Sequence, residues 1–116
     1  MSSVLYEKDK KIARIILNRP NKLNAINGET PELLESAVKE AEKDQDIHVI
    51  VLSGNGKGFC GGYDLSTYAE KKGFNPVYQG KNWDPLQDYN FMWENTQKFM
   101  SLWRCPKPVI CKIHGF

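Results

Sequence analysis

A glycine-rich segment directly follows an apolar run, and this pair of features constrains the chain more than any other. The run is Ile47 to Leu52, and the glycine loop holds five glycines in positions 54–62. A short apolar run bounded by turn residues predicts a buried strand. Glycines permit left-handed backbone angles and close approach of the backbone to a ligand. We therefore predict a strand that leads into a ligand-binding loop, followed by Asp64 as a helix cap.

Phosphate is one ligand that such a loop can bind. Residues Gly56, Gly58 and Gly61 have the spacing of the dinucleotide-binding fingerprint. That fingerprint needs a helix after the loop and an acidic residue about 20 positions on. The sequence after the loop is a poor helix former, Glu70 comes too early, and Asp84 lies in a broken segment. Nucleotide binding is therefore the weaker alternative.

An oxyanion is the other ligand. Backbone N–H groups aimed at a carbonyl oxygen stabilise the negative charge that forms when a thioester is enolised or attacked. In register from Gly54, the segment 54–65 resembles the oxyanion loop of the enoyl-CoA hydratase/isomerase, or crotonase, family, whose pattern is roughly Gly-x-Gly-x-x-Phe-Cys/Ser-Ala-Gly-x-Asp-Leu. The match favours a thioester oxygen over a phosphate.

Two further segments resemble the same family. Residues 16–27 contain Asn18-Arg19-Pro20 and Asn24-Ala25, and they are similar to a segment that lies along the pantetheine arm of coenzyme A in crotonases. Residues 107–115 are similar to the Lys-Pro-Val-Ile strand that follows the loop in that family. The three motifs occur in the family's order and together cover nearly the whole chain.

The resemblance implies an α/β fold, a crotonase-like ββα spiral that is truncated to about two turns. Residues 1–116 would form the N-terminal part of the domain, with a variable loop at 71–85. In crotonases the second oxyanion glycine and the catalytic glutamates lie beyond the position of Phe116. The resemblance therefore implies one half of an oxyanion hole and part of a coenzyme A groove.

The resemblance also implies roles for individual residues. Tyr63 would be the catalytic residue, because its backbone N–H takes the position of the first oxyanion donor. Its ring would either narrow the acyl pocket or only pack. Asp64 would be a cap more readily than a base, and Lys22 would either meet a phosphate or stay solvated. The implied substrate-binding residues are Lys22, Leu23, Ala25, Gly58, Gly61, Gly62, Tyr63, Asp64 and Leu65.

The function implied is enoyl-CoA hydratase or isomerase chemistry on an acyl-CoA thioester, in which coenzyme A is part of the substrate and no separate cofactor is needed. A full-length relative would form a trimer or hexamer. The alternative is a truncated, non-catalytic protein that binds acyl-CoA or another chain. A nucleotide-binding module is the least favoured of the three alternatives.

Composition excludes several other classes. The chain has 116 residues, 41% of them hydrophobic, and a net charge of +2, which is too mild to indicate a nucleic-acid partner. It has no apolar stretch near 20 residues and no signal peptide, so we predict a cytoplasmic protein without membrane contact. Its odd number of cysteines, Cys60, Cys105 and Cys111, favours reduced thiols over disulfides, and their spacing with His114 lacks a zinc pattern.

The remaining pattern predicts the order of helices and strands. We expect a hairpin of Val4 to Glu7 and Ile12 to Leu17, then a helix over 31–43 capped by Thr30 or Asn27. A last strand is expected over 109–113. Between them, a helix from Leu86 onward carries an apolar stripe that we expect to be core. The stripe consists of Tyr89, Met92, Trp93, Thr96, Phe99, Met100 and Trp103.

Overall fold

A computed structural model of the chain describes residues 1–69, 79–80 and 82–116. The strands are β1 (Val4–Asp9), β2 (Ile12–Leu17), β3 (Val49–Gly54) and β4 (Val109–Cys111). The helices are α1 (Thr30–Lys43), α2 (Leu65–Tyr68), α3 (Pro85–Phe99) and α4 (Ser101–Arg104), and a 3₁₀ turn spans Pro20–Lys22. Most of the loop expected at 71–85 lies outside the described residues.

The four strands form one sheet in the order β1-β2-β3-β4. β1 and β2 form the expected antiparallel hairpin, with Val4 opposite Leu17, but β1 continues to Asp9, two residues past its predicted end. β2 and β3 run parallel, as do β3 and β4. A parallel pair requires a crossover connection, and α1 supplies it between β2 and β3. The mixed α/β order therefore follows the predicted one, and it places the carboxyl ends of β2 and β3 side by side.

The core lies between this sheet and α1. Alternate residues of β2 and β3 face it, as the period of a strand requires, and α1 contributes an apolar stripe with helical spacing. The fully buried members with the largest side chains are Ile15, Val38, Ile47 and Ile50. β3 begins at Val49, two residues later than predicted, because the Ile47 N–H bonds to the Asp44 carbonyl and not to a strand.

The apolar stripe of α3 differs from the prediction. Tyr89, Trp93 and Trp103 are exposed, and of the stripe residues only Phe99 packs against the core that the structure describes. The expectation that the whole stripe is core was therefore wrong for this chain. Helical periodicity shows which face is apolar but not whether another element covers it. The helix also ends at Phe99, and α4 follows as a separate turn.

Candidate functional site

Two segments that are far apart in sequence lie side by side next to the carboxyl ends of β2 and β3. The N–H of Gly61 donates to the Leu23 carbonyl at 2.8 Å, and the N–H of Ile26 donates to the Gly62 carbonyl at 2.8 Å. The N–H of Asp64 then donates to the Ile26 carbonyl at 2.9 Å. These bonds form a short parallel ladder between residues 23–26 and 61–64, which we call the 23–26/61–64 ladder.

The backbone N–H of Tyr63 lies in the middle of this ladder and has no acceptor among the described residues. The ladder uses the carbonyl of Gly62 and the N–H of Asp64, so the polar groups of Tyr63 face the other way. Gly62 has a φ of +93°, and an added Cβ there would meet nothing within 4 Å. The structure thus leaves one backbone donor unpaired beside open space.

The side chain of Asn24 holds the glycine loop by hydrogen bonds to its carbonyls, a role that the sequence did not reveal. Its side chain is buried, and Nδ2 lies within 2.8–3.1 Å of the carbonyls of Asn55, Gly58 and Phe59. Its Oδ1 accepts from the N–H of Arg19 at 2.7 Å. One amide therefore joins the end of β2 to three carbonyls of the loop.

The first three glycines of the loop pack against the chain itself. A Cβ on Gly54 would lie 2.7 Å from the Phe59 carbonyl oxygen, and one on Gly56 would lie 2.8 Å from Cβ of Pro20. A Cβ on Gly58 would lie 2.9 Å from the carbonyl oxygen of Phe116. Close internal packing, together with a left-handed φ of +91° at Gly56, accounts for these glycines, and the expected approach of a ligand is not needed to explain them. Gly61 and Gly62 are the members of the loop that border the ladder.

Asp64 is both a helix cap and half of an ion pair. Its Oδ1 accepts from the N–H of Ser66 at 3.0 Å and from its hydroxyl at 2.6 Å, which confirms the predicted cap. Its Oδ2 lies 2.9 Å from Nη2 of Arg19. The hydrogen bonds from Ser66 and the neighbouring guanidinium lower the pKa of Asp64 to about 2. The carboxylate is therefore ionised at neutral pH although it is buried.

The other residues expected to bind substrate lie around the 3₁₀ turn and the ladder. Lys22 and Leu23 are exposed, and Lys22 borders a groove of about 490 Å³ that also includes Asn18, Arg19 and Pro20. Ala25 is half-buried within the ladder, and Leu65 is exposed at the start of α2. The structure therefore brings the predicted binding residues other than Gly58 together around the ladder, with Asp64 buried and Lys22, Leu23 and Leu65 at the surface.

The ring of Tyr63 is held in an aromatic cluster. It packs edge to face on Tyr68 with ring centroids 5.4 Å apart, and Tyr68 in turn lies 6.1 Å from Phe91 of α3. Such pairs add to the free energy of packing beyond simple burial. The cluster fixes the ring of the same residue that carries the unpaired N–H. Both readings of the ring, a wall of an acyl pocket or a packing group, agree with this geometry.

A small apolar cavity of about 130 Å³ lies under the loop. Phe59 and Cys60 contribute to its wall from the loop, Leu34 from α1 and Phe99 from α3. The underside of the loop is thus anchored in the core, while its ladder side stays polar.

Other site types lack support among the described residues. No three His, Cys, Asp or Glu side chains are grouped so that they could hold a metal ion. Cys60, Cys105 and Cys111 are free thiols, and burial raises the pKa of the half-buried Cys105. Within the same ranges, no helix has the length and apolar character needed to cross a membrane.

Comparison with known proteins agrees with the motifs. The family model described as enoyl-CoA hydratase/isomerase matches residues 12–116. The chain is 31% identical over 120 residues to the 1,2-epoxyphenylacetyl-CoA isomerase of Escherichia coli K12, covering 99% of this chain and 41% of the relative. It is 33% identical over 112 residues to a probable enoyl-CoA hydratase of Mycobacterium tuberculosis, covering 97% of this chain and 39% of the relative.

Solved structures show the same relation. An enoyl-CoA hydratase from Mycobacterium smegmatis superposes with a TM-score of 0.83 at 41% identity, covering 99% of this chain and 41% of that one. The chain thus spans about two fifths of the length of the relatives it matches, and it corresponds to their N-terminal portion. With a family model that covers 105 of its 116 residues (12 to 116) and a four-stranded α/β fold that superposes on the family's structures, this chain belongs to the enoyl-CoA hydratase/isomerase, or crotonase, family.

Proposed function

We propose that this chain binds an acyl-CoA thioester and that the backbone N–H of Tyr63 donates a hydrogen bond to the thioester carbonyl oxygen. The observation that carries the proposal is the unpaired donor of Tyr63, set between the bonded groups of Gly62 and Asp64. The reaction supported is enoyl-CoA hydratase or isomerase chemistry, in which the donor stabilises the enolate oxygen. The names of the relatives support an acyl-CoA substrate.

The chemical value of this donor follows from its preorganisation. A donor already fixed at the developing oxyanion costs no reorganisation during the reaction, and removal of one such donor typically costs about 2.7–4 kcal/mol. The 23–26/61–64 ladder fixes the peptide on both sides of Tyr63, so its N–H meets that requirement. We propose that a second donor and the acid–base carboxylates come from the part of the family's length that this chain does not span.

The remaining residues of the site have supporting roles in the proposal. Lys22 lines the groove beside the 3₁₀ turn, where the coenzyme A arm would lie, and Leu23 and Ala25 would contact that arm from the neighbouring ladder. Gly61, Gly62 and Leu65 surround the thioester, and the carboxylate of Asp64 caps the helix that follows. Gly58 supports the loop from within, because it packs against Phe116. Coenzyme A is part of the substrate, and no further cofactor is proposed.

The nucleotide alternative lacks an observation in its favour. The dinucleotide fingerprint places pyrophosphate at the N-terminus of a helix that follows the glycines. The helix that follows here is α2, which has only the four residues Leu65–Tyr68. A non-catalytic acyl-CoA binder uses the same donor and differs from the enzyme only in turnover.

Titration of the ¹⁵N-labelled chain with acetoacetyl-CoA tests the proposal. We expect the amide signals of Gly62 and Tyr63 to shift, and the melting temperature to rise, since a ligand that binds only the folded state adds about 2.7 kcal/mol at 100 times its Kd. Coenzyme A without an acyl group should shift the groove residues more than Tyr63, and NAD should shift neither. A response to NAD with none to acetoacetyl-CoA would contradict the assignment. Hydration of crotonyl-CoA then separates the enzyme from the non-catalytic binder.

A further inference from the structure

The guanidinium of Arg19 joins both sides of the 23–26/61–64 ladder, and the family resemblance gave it no role of its own. We propose that Arg19 is a positioning residue, which holds the unpaired N–H of Tyr63 in place by bridging Asp64 and Ala25. The inference rests on the proposed function, because it concerns the donor that function uses. It adds a residue that touches neither the thioester nor its oxygen.

The geometry of the bridge is specific. Nη2 of Arg19 lies 2.9 Å from Oδ2 of Asp64, and Nη1 donates to the carbonyl of Ala25 at 2.6 Å. Ala25 precedes Ile26, and Asp64 follows Tyr63, so one planar group ties together the two segments that the ladder pairs. The Arg19 side chain is 21% exposed and that of Asp64 is 8% exposed. Solvent therefore competes little for these contacts.

Arg19 is itself fixed at its backbone. Its N–H donates to Oδ1 of Asn24, and its carbonyl accepts from the N–H groups of Lys22 and Asn24 at 2.9 Å each. Pro20 follows and restricts the chain at the start of the 3₁₀ turn. The guanidinium thus extends from a rigid base, which is what a bridging group needs in order to hold its partners at one distance.

Electrostatics give the bridge a second effect. Asp64 is one residue away from the proposed oxyanion donor, and an unpaired buried carboxylate there would repel the negative charge that develops on the thioester oxygen. The guanidinium cancels that charge at 2.9 Å. Arg19 therefore both fixes the peptide of Tyr63 and keeps the field at the donor favourable for an anion.

Lysine cannot make the same bridge, because the three donors of its ammonium radiate from one nitrogen, whereas guanidinium presents a planar fork of separate nitrogens. Arg19→Lys keeps the charge beside Asp64 but cannot also reach Ala25 with fork geometry. Arg19→Gln removes the charge as well. Arg14→Gln is a matched control, since Arg14 forms an exposed pair with Asp9 on the hairpin at 3.3 Å.

The test uses ¹⁵N-labelled chains of the native sequence, Arg19→Gln, Arg19→Lys and Arg14→Gln, each titrated with acetoacetyl-CoA. We expect Arg19→Gln to weaken binding by about tenfold, the effect of one lost hydrogen bond at the upper end of its usual range. The shift of the Tyr63 amide at saturation should shrink, while shifts caused by coenzyme A alone persist. Arg19→Lys should fall between, and Arg14→Gln should match the native chain.

The outcomes separate the two proposals. If the Tyr63 amide of the native chain does not respond to acetoacetyl-CoA, the proposed function fails. If the native chain responds and both Arg19 variants match it in the Tyr63 amide shift and in affinity for acetoacetyl-CoA, the positioning role is overturned. Should Arg19→Gln fail to fold by circular dichroism, Arg19→Lys decides the matter alone. In it, faster hydrogen exchange at the Ile26 and Asp64 amides supports the bridge, and unchanged exchange refutes it.

Discussion

At the scale of single residues, the site depends on backbone atoms that a few side chains hold in place. The donor proposed for the thioester is the N–H of Tyr63, so the side chain at this position can vary without removing it. Asn24 supports the loop below and Arg19 the ladder beside it. Substitutions that change the backbone or these supports should therefore matter more than substitutions of the ring.

Gly61 and Gly62 are adjacent but respond differently to a methyl group. A Cβ on Gly61 would lie 3.5 Å from the Leu23 carbonyl oxygen, an ordinary contact, whereas Gly62 has a φ of +93°. We expect Gly61→Ala to stabilise the chain by about 0.4–1 kcal/mol through lower entropy of the unfolded state. Gly62→Ala should cost about 1–3 kcal/mol through backbone strain. Urea unfolding of both variants measures this, and equal effects would contradict the assigned geometry.

Asp64 should make stability depend on acid. Its pKa is about 2 in the folded chain and 3.8 ordinarily, so its contribution to the free energy of unfolding is complete above pH 4. That contribution is lost as the pH falls from about 4 through about 2. Near pH 6 we expect Asp64→Asn to be less stable than the native chain by about 1–2 kcal/mol.

Urea unfolding of both chains between pH 6 and pH 2 provides the measurement. The difference between them should narrow steadily below pH 4. Glu29 and Asp44 also have lowered pKa values and remain in both chains, so they cancel in the comparison. A difference that stays constant down to pH 2 would show that the charge of Asp64 does not contribute.

At the scale of elements, helix α1 is the crossover that makes β2 and β3 parallel. It begins at Thr30, four residues after the first segment of the 23–26/61–64 ladder ends. No side-chain cap comes from Glu29, the residue directly before α1. Instead Oδ1 of Asn27 accepts from the N–H groups of Glu29 and Thr30 and from the Thr30 hydroxyl. Of the two caps that the sequence allowed, Asn27 is the one observed.

Asn27→Ala should therefore destabilise the chain. Loss of a helix cap costs about 0.5–2 kcal/mol, and Asn27 also donates from Nδ2 to the Ser3 hydroxyl at 3.0 Å. Asn27→Asp keeps the acceptor and should recover most of the loss. Asn21→Ala, at an exposed position of the 3₁₀ turn, is the control and should change little. Thermal unfolding of the three variants compares them, and a neutral Asn27→Ala would reject the cap.

At the scale of the whole molecule, buried residues are concentrated in the central strands of the sheet and are sparse at the β4 edge. β2 and β3 are paired on both sides and carry buried residues, while β4 has three residues that are half-buried or exposed. The exposed part of the α3 stripe, including Tyr89 and Trp93, likewise lacks cover among the described residues. Within the described residues, the centre of the sheet and α1 are thus packed more closely than β4 and the exposed face of α3.

This gradient should appear in native-state hydrogen exchange. Amides open with free energies that range from about zero at weakly packed segments to the global value in the core. We expect the slowest exchange in β2, β3 and the buried face of α1, and faster exchange in β4. Exchange in β4 as slow as in β3 would show that the last strand is as firmly held as the centre of the sheet.

The sequence by itself determined the local elements and the family. Alternating apolar residues predicted the hairpin, helical spacing predicted α1, and three motifs identified the crotonase resemblance. The first two signals work because each depends on residues a few positions apart, where strand and helix periods act directly. The third is a resemblance to known sequences. The cap at Asp64 is predicted in the same way as the first two, whereas the backbone role of Tyr63 is implied only by the family resemblance and stays a proposal.

Only the tertiary structure decided how the site is held. The Arg19–Asp64 bridge joins residues 45 positions apart, and Asn24 binds carbonyls more than 30 positions away. No local period encodes such contacts, because they depend on where the sheet brings the ends of β2 and β3. The prediction that the apolar face of α3 is core was wrong for the same reason. The sequence shows which face of the helix is apolar, but only the packed molecule shows whether another element lies against that face.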